Sequence, residues 1–418
     1  MLVSIAFGGF RNAFPRCIRF QIRFWSGSPE KLQRRRERLE GLLARIQRPR
    51  LESFEVDGKR YQLPLLAKDA EIEHCSEDKL AYLAGFFDGD GCVSLNKKTG
   101  SFVLGISQSV NGAGTLLKFR QHLGGSIIRE QDGNGFSRPK LCWRLYGETM
   151  KRASTLLTKH SRTKRSQLQI SARGNVEKAS RLQVADELKL LKRGDYVPDN
   201  RQLSWQYIAG FFDAEGCIKV LPNTASIVLE LAQVKPAILM QILSFFQCRQ
   251  HESWKLYTNE CLSTNQSSHY RIMCCAKEEC KRILQDLLAH GLQQKREQAN
   301  LARDLTSQNH VEIRDALFQK VGQQSRYKRL DSFGMEMSKQ INQVQARLRS
   351  KTVQANRATL EEELSSLKKK FETHKLQSSC ERMCSDLRTL LKLGSSIGPL
   401  RIEKGYGILP WKSSLYSN

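Results

Sequence analysis

The 418-residue sequence has no apolar run approaching the roughly 20 residues that a membrane-spanning helix needs, so we expect no membrane partner. No Cys-x-x-Cys pair occurs among its 12 cysteines, which argues against a disulfide scaffold or a standard zinc ribbon. Acids are also scarce, since 42 Asp and Glu face 68 Lys and Arg and leave a charge of +26. That surplus favours a polyanionic partner such as nucleic acid, although a merely soluble basic protein has a similar composition.

The N-terminal segment lacks acids altogether before Glu30. It carries four arginines among phenylalanines and isoleucines: Arg11, Arg16, Arg19 and Arg23. Arg-rich, acid-free starts are typical of organelle transit peptides, so we predict one over residues 1–29 and a mitochondrial location. A plastid or nuclear address, or a plain basic arm, are the alternatives.

Hydrophobic spacing divides the rest of the chain. A basic helix is predicted from Glu30 to Arg48, where Pro49 ends it. We assign a helix and linker to 30–72, two similar units to 73–190 and 191–305, amphipathic or coiled-coil helices to 306–395, and a tail to 396–418. The C-terminal helices could form a hairpin packed on the chain or a coil that pairs with a partner.

An internal repeat links the two units. Residues 82–92 read Tyr-Leu-Ala-Gly-Phe-Phe-Asp-Gly-Asp-Gly-Cys, and residues 207–217 read Tyr-Ile-Ala-Gly-Phe-Phe-Asp-Ala-Glu-Gly-Cys. Eight of eleven positions are identical at an offset of 125. A coincidence of that length and register can be dismissed.

Each copy predicts a helix that is apolar on nearly every face and therefore buried. Small residues stand in the middle of these helices, as Ala84–Gly85 and Ala209–Gly210. A mid-helix glycine costs about 1 kcal/mol relative to alanine, and close contact between two backbones is the usual compensation. We expect the two helices to pack on each other about a pseudo-twofold axis.

Both helices end in an acid followed by glycine, Asp90–Gly91 and Glu215–Gly216. The glycines suit a left-handed helix cap, whereas the acids meet the negative end of a helix dipole and would repel each other. A divalent cation with hard oxygen ligands, Mg²⁺ above all, would relieve both conflicts. The preceding acids, Asp88 and Asp213, fit simple turn chemistry.

Further positions match between the units. They are Gln108 with Gln233, Arg144 with Arg271 at an offset of 127, and Lys164 with Lys295 at 131. Each unit reads helix, strands, helix, hairpin, helix, with a turn signal at residues 132–135. The sequence thus predicts an α+β fold of two pseudo-symmetric repeats with an added C-terminal helical region.

The doubled motif resembles the LAGLIDADG homing endonucleases in their single-chain, two-repeat form, over about 230 residues from His74 to Leu305. That resemblance implies an αββαββα fold in each repeat. It also implies curved antiparallel sheets that form a saddle over the DNA major groove, which physically admits a two-stranded ribbon.

Carried over by position, the resemblance makes Asp90 and Glu215 the metal-binding catalytic acids. The carbonyls of Gly89 and Ala214 would complete the metal shell. Gln108 and Gln233 would order water, Lys164 and Lys295 would stabilise charge on the phosphate or help to activate water, and Arg144 and Arg271 are candidates for DNA contact.

The predicted function is a site-specific double-strand DNA endonuclease that promotes intron mobility. It would use Mg²⁺, with Mn²⁺ as a substitute, and act as a monomeric nuclease core on a long recognition site. Two alternatives stay open at this stage: an intron RNA maturase of the same fold, and a catalytically silent DNA-binding protein.

Overall fold

A computed structural model of the protein describes residues 28–133, 137–194, 201–221, 225–259, 269–320, 327–349 and 357–398. Nearly all of the predicted transit peptide lies outside these ranges, as do turn residues 134–135 and most of the predicted tail. None of the described helices combines the length and apolar character needed to cross a bilayer.

The first unit alternates helices with antiparallel strands. Its elements are α2 (Glu77–Asp90), β4 (Gly91–Leu95), β5 (Phe102–Ser109), α3 (Ala113–Leu123), β6 (Ser126–Gln131), β7 (Lys140–Leu145), α4 (Gly147–Thr158) and α5 (Arg165–Ala172). The strands form one four-stranded sheet in the order β4-β5-β7-β6.

After α6 (Arg181–Arg193), the second unit repeats that order. Its elements are α7 (Trp205–Glu215), β8 (Gly216–Val220), β9 (Ile227–Gln233), α8 (Pro236–Gln247), β10 (Lys255–Asn259), β11 (His269–Cys274), α9 (Lys277–Ala289) and α10 (Arg296–Arg303). Its sheet has the equivalent order β8-β9-β11-β10. The predicted α+β fold of two pseudo-symmetric units is confirmed.

One hydrophobic core joins the two units. The central helices α2 and α7 supply phenylalanines to it that are completely buried: Phe86, Phe87, Phe211 and Phe212. Alternate residues of each sheet, such as Leu104 in β5, point into this core, so the opposite sheet faces stay open. The core therefore fixes the ends of α2 and α7 relative to the two open faces.

The strand register corrects one predicted pairing. Leu141 lies opposite Gln108 and Tyr270 opposite Gln233, so β7 and β11 correspond at an offset of 129 (270 minus 141) rather than 127. The predicted equivalence of Arg144 with Arg271 is therefore wrong. The two-residue error arose because adjacent aromatic and arginine residues in both strands can be aligned in a register that the backbone pairing does not follow.

A second, smaller core lies outside the repeats. It joins α1 (Pro29–Ala44) to the long helix α13 (Arg357–Lys392) through Leu39, Leu43, Met383 and Leu387. Helix α12 (Ser332–Arg349) packs against α13, as in the helical hairpin that was one of the two predicted arrangements.

Two details differ from the sequence predictions. Helix α1 ends at Ala44 instead of Arg48, because β1 (Ile46–Gln47) pairs with β12 (Ser396–Ile397), which lies in the predicted tail. The predicted linker contains a hairpin, β2 (Ser53–Val56) with β3 (Lys59–Gln62), whose Phe54 is buried in the main core. Helix α11 (His310–Lys320) follows the second unit, within the helical region predicted for 306–395.

Polar contacts connect segments near the second core to the first unit and to α11. The Leu51 backbone N–H donates to Asp132 Oδ1 at 3.0 Å, at the end of β6. On the other side, Arg329 donates to Asp315 Oδ1 at 2.7 Å and stacks over Phe318 of α11.

Candidate active site between the paired helices

The two central helices touch backbone to backbone at their glycines. A Cβ atom built on Gly85 would lie 2.0 Å from the Tyr207 carbonyl oxygen, and one built on Gly210 would lie 2.0 Å from the Tyr82 carbonyl oxygen. Ala84 and Ala209, beside them, are fully buried. Only glycine allows this approach, which brings the C-terminal ends of α2 and α7 together.

One tyrosine from each helix forms a hydrogen bond with an acid of the other unit. Tyr82 Oη donates to Asp213 Oδ2 and Tyr207 Oη to Asp88 Oδ2, both at 2.7 Å. The two bonds are related by the pseudo-twofold axis. They tie the units together with a fixed register, a role that the sequence analysis missed although all four residues stand in the repeated motif.

Asp88 also receives the N–H groups of a neighbouring loop. Its carboxylate accepts from the backbone of Arg162 at 2.5 Å, Thr163 at 3.1 Å and Lys164 at 3.1 Å. Asp88 is 4% exposed, so these bonds replace water that the carboxylate has lost. The prediction that Asp88 only ends its helix as a turn residue is wrong.

Asp213 repeats this arrangement in the second unit. It accepts from the backbone N–H of Gln293 at 2.6 Å, Gln294 at 3.1 Å and Lys295 at 2.8 Å. Burial raises its pKa, while these bonds and the charge of Lys295 oppose the increase. Both buried acids thus position the loop that carries the matched lysine.

The glycines that follow the two catalytic candidates are not left-handed. Gly91 has φ −73° and ψ 155°, and Gly216 has φ −72° and ψ 152°. The predicted glycine cap is therefore wrong. A Cβ on Gly91 would lie 2.4 Å from Phe87 Cδ2, so steric exclusion by the buried phenylalanine requires glycine here.

Asp90 and Glu215 are the last residues of α2 and α7. Loss of hydration raises the pKa of both carboxyls, and the charge of Asp90 raises that of Glu215 further. Asp90 still reaches solvent, yet enough protein surrounds it for desolvation to be the largest influence on its pKa. The two acids therefore lie close enough to repel, at one end of the helix pair.

The matched glutamines contact these acids. Gln108 Nε2 donates to Asp90 Oδ2 at 2.7 Å, and a hydrogen bond from Gln233 lowers the pKa of Glu215. Gln108 also accepts from Gln294 Nε2 at 3.3 Å. Each glutamine, at the inner end of a central strand, orients the carboxylate of its own unit.

The matched lysines bind the ends of the same helices. Lys164 Nζ donates to the carbonyls of Phe87 at 2.9 Å, Asp88 at 2.7 Å and Gly89 at 2.8 Å. Lys295 Nζ donates to the Asp213 carbonyl. Burial lowers the pKa of both ammonium groups, whereas nearby acids that include Asp90 and Glu215 raise it.

Protein side chains alone do not supply all the ligands of the predicted metal site. In the described part of the chain no group of three or more His, Cys, Asp or Glu residues could hold a metal. A cation between Asp90 and Glu215 would draw its other oxygens from backbone, water and phosphate, as Mg²⁺ commonly does. The Gly89 carbonyl already accepts from Lys164, which disfavours it as a ligand, and the Ala214 carbonyl lies at the matching position of α7.

The two arginines lie on the open sheet faces at different distances along the strands from the matched glutamines. Arg144 pairs with Gly105, and its pKa is raised chiefly by hydrogen bonds to Cys142 and Tyr146. Arg271 pairs with Ala232, one residue from Gln233. The buried Nε of Arg271 has no hydrogen-bond partner among the described residues, and Arg271 Cζ lies 5.8 Å from the centroid of the Tyr257 ring.

Comparison with known proteins gives a match to part of the first unit. Residues 77–123, from α2 to α3, match the family model described as a LAGLIDADG-like domain, which confirms the resemblance for that stretch. No curated protein matches the chain.

Three solved structures were also compared. The LAGLIDADG meganuclease I-CpaMI bound to uncleaved DNA is 12% identical, covers 58% of this chain and 96% of its own, and has a TM-score of 0.37. The I-LtrWI LAGLIDADG homing endonuclease bound to target DNA is 13% identical, covers 58% of this chain and 96% of its own, and has a TM-score of 0.42. The LAGLIDADG homing endonuclease I-GzeII in complex with its DNA target is 12% identical, covers 71% of this chain and 97% of its own, and has a TM-score of 0.35. At these scores the likenesses support no conclusion about this chain.

Proposed function

We propose that this protein is a metal-dependent endonuclease that cleaves both strands of a specific DNA site. The observation that carries the proposal is the pairing of Asp90 with Glu215 at the ends of two helices in backbone contact. Two desolvated, mutually repelling acids at negative helix ends serve no purpose in DNA binding alone, because they would also repel phosphates.

The residues present fit a hard divalent cation. Carboxylate oxygens are the ligands that Mg²⁺ prefers, and a cation there would offset the repulsion that raises the pKa of Glu215. Bound Mg²⁺, or Mn²⁺ in its place, would polarise a phosphodiester and lower the pKa of bound water. Asp90 and Glu215 would hold it, with the Ala214 carbonyl as a further proposed ligand.

Gln108 and Gln233 would keep the carboxylates oriented and position water beside the scissile phosphates. Lys164 and Lys295 neutralise the helix ends and stand close enough to Asp90 and Glu215 to affect their pKa values. We therefore assign the lysines to electrostatic support of the acids and of charge that develops on the phosphate.

Side chains on the open sheet faces would recognise the DNA sequence. Ribbons of antiparallel strands fit the major groove, where side chains can read base edges. Arg271 and Arg144 are proposed DNA contacts on these faces. Because the strand register places Arg271 nearer to its glutamine, we expect the two arginines to contact bases at different distances from the cut.

Cleavage of a randomised-site duplex library by the full chain tests the proposal. We expect Mg²⁺-dependent cutting of both strands at one long site, and no cutting in Ca²⁺ or by Asp90→Asn/Glu215→Gln. The matched control is Asp186→Asn/Glu187→Gln, which removes the same charges from exposed positions of α6 and should cut normally.

Other outcomes would contradict the proposal in distinct ways. Specific retention of DNA without cutting would indicate a silent DNA-binding protein. No site preference on DNA, together with selective binding of intron RNA, would indicate the maturase alternative.

A further inference from the structure

Helix α1 carries a straight row of cations on its outer side. Lys31, Arg34 and Arg38 follow one another at steps of three and four residues, which places them on one face of the helix. All three are exposed, and none forms an ion pair within the described part of the chain. Leu39 and Leu43 of the same helix are buried against α13, so the row faces away from the second core.

Acids of α1 are engaged beside this row. Glu40 pairs with Arg36 at 3.0 Å, and Glu37 accepts from Gln33 at 2.8 Å. Glu30, at the helix start, has a lowered pKa, chiefly through a hydrogen bond with Ser28, with smaller effects from the charges of Lys369 and Arg34. Helix α1 has five cations and three acids, so it keeps a net charge of +2, and α13 adds Lys369 beside it.

The end of α1 is tied to the first sheet. Seven residues after the helix ends at Ala44, the Leu51 N–H donates to Asp132 at the end of β6. Burial lowers the pKa of Arg48, and the charge of Arg138 lowers it further. The segment that follows α1 thus lies against the β6–β7 hairpin, at the edge strand of the first sheet. The second unit has no corresponding helix among the described residues, so this extension is asymmetric.

We propose that Lys31, Arg34 and Arg38 bind the phosphates of duplex DNA that flanks the recognition site on the side of the first unit. This inference rests on the proposed function for the position of the DNA. From Lys31 to Arg38 the row is about 10 Å long at about 1.5 Å per residue. At about 3.4 Å per base pair, the row would follow roughly 3 base pairs of duplex.

The test compares the full chain with a triple variant, Lys31→Gln/Arg34→Gln/Arg38→Gln. Its control, Arg152→Gln/Arg173→Gln/Arg282→Gln, removes three equally exposed cations from other surfaces. Affinity for a long duplex is measured in Ca²⁺ over a range of salt concentrations. Each lost phosphate contact reduces the slope of log affinity against log salt by about 0.9, so the triple variant should lose about 2.7 and the control much less.

A footprint on the selected site gives the second readout. We expect protection to be shorter by roughly 3 base pairs on one side only in the triple variant. Equal slopes for both variants, an unchanged footprint, or a deficit seen on RNA but not on DNA would overturn the inference. The slope on a random duplex tests the row even when no site is cut, so failure here is distinguishable from failure of the proposed nuclease.

Discussion

Replacement of Gly85 by alanine tests how the helix pair is built. The added Cβ would lie 2.0 Å from the Tyr207 carbonyl oxygen and 3.0 Å from the Phe211 nitrogen. In an α-helix those two atoms are joined by the i to i+4 hydrogen bond, so the methyl group would intrude on that bond. Helices α2 and α7 would have to separate by about 1 Å before the contact became tolerable.

Gly85→Ala combines one stabilising effect with two destabilising effects. Alanine in place of a mid-helix glycine normally stabilises by about 1 kcal/mol. Overpacking costs about 1–3 kcal/mol, and a weakened buried hydrogen bond adds about 1 kcal/mol more. We therefore expect Gly85→Ala to lower the free energy of unfolding by about 1–3 kcal/mol, and to reduce cleavage because Asp90 and Glu215 move apart.

Denaturant unfolding followed by circular dichroism measures this change. The control is Gly114→Ala in α3 of the same core, where the new Cβ would meet only Val56 Cγ1 at 3.5 Å. The control should be neutral or slightly stabilising. Equal stability of Gly85→Ala and the control would refute the close backbone contact.

Two further predictions concern the polar groups of the helix pair. Asp90 and Glu215 have raised pKa values in the folded protein, so the folded state keeps its protons to higher pH than the unfolded chain. The free energy of unfolding therefore falls as the pH rises through the ordinary carboxyl range toward the raised pKa values. Asp90→Asn should consequently be more stable than the wild type at neutral pH and lose that advantage in acid, as thermal melts at several pH values would show; an advantage that does not change with pH would contradict the assignment. Tyr207→Phe removes a 2.7 Å bond to the buried Asp88 carboxylate and should cost about 1.5–3 kcal/mol in denaturant unfolding, whereas the exposed Tyr257→Phe should stay within about 0.5 kcal/mol.

The repeated motif allowed much of the fold to be predicted. Burial on every face and paired small residues indicate two helices in contact, and the contacts of Gly85 and Gly210 are of that kind. Alternation in β5 and β9 indicated strands; in the structure β5 buries alternate residues, whereas β9 buries three in succession, Ile227, Val228 and Leu229. These patterns are local, so a single sequence records them.

Features that depend on distant contacts were not predictable in the same way. The bonds of Asp88 to the loop before α5 span more than 70 residues, so the sequence offered only a turn-like Asp before glycine. Lys164 was found by its match to Lys295, but its binding to helix carbonyls follows from how that loop closes on α2. Gly91 needs no positive φ, because a clash with the Phe87 ring explains it and appears only in three dimensions.

Strand register was the other limit. Residue identities alone aligned Arg144 with Arg271, whereas backbone pairing shifts the correspondence by two positions. A shift of two keeps each side chain on the same sheet face, so hydrophobic alternation could not reveal the error. The short β1–β12 pair escaped prediction because its strands are two residues long and lie 350 positions apart (396 minus 46).

Binding of Mn²⁺ to the protein–DNA complex tests the central claim most directly. Electron paramagnetic resonance would count bound Mn²⁺ for the wild type and for Asp90→Asn/Glu215→Gln, both held on the same duplex. We predict that the wild-type complex binds Mn²⁺ in competition with Mg²⁺, and that the variant binds the duplex but loses the ion. Equal Mn²⁺ occupancy in the two complexes would contradict the assignment of Asp90 and Glu215 as the metal-binding acids.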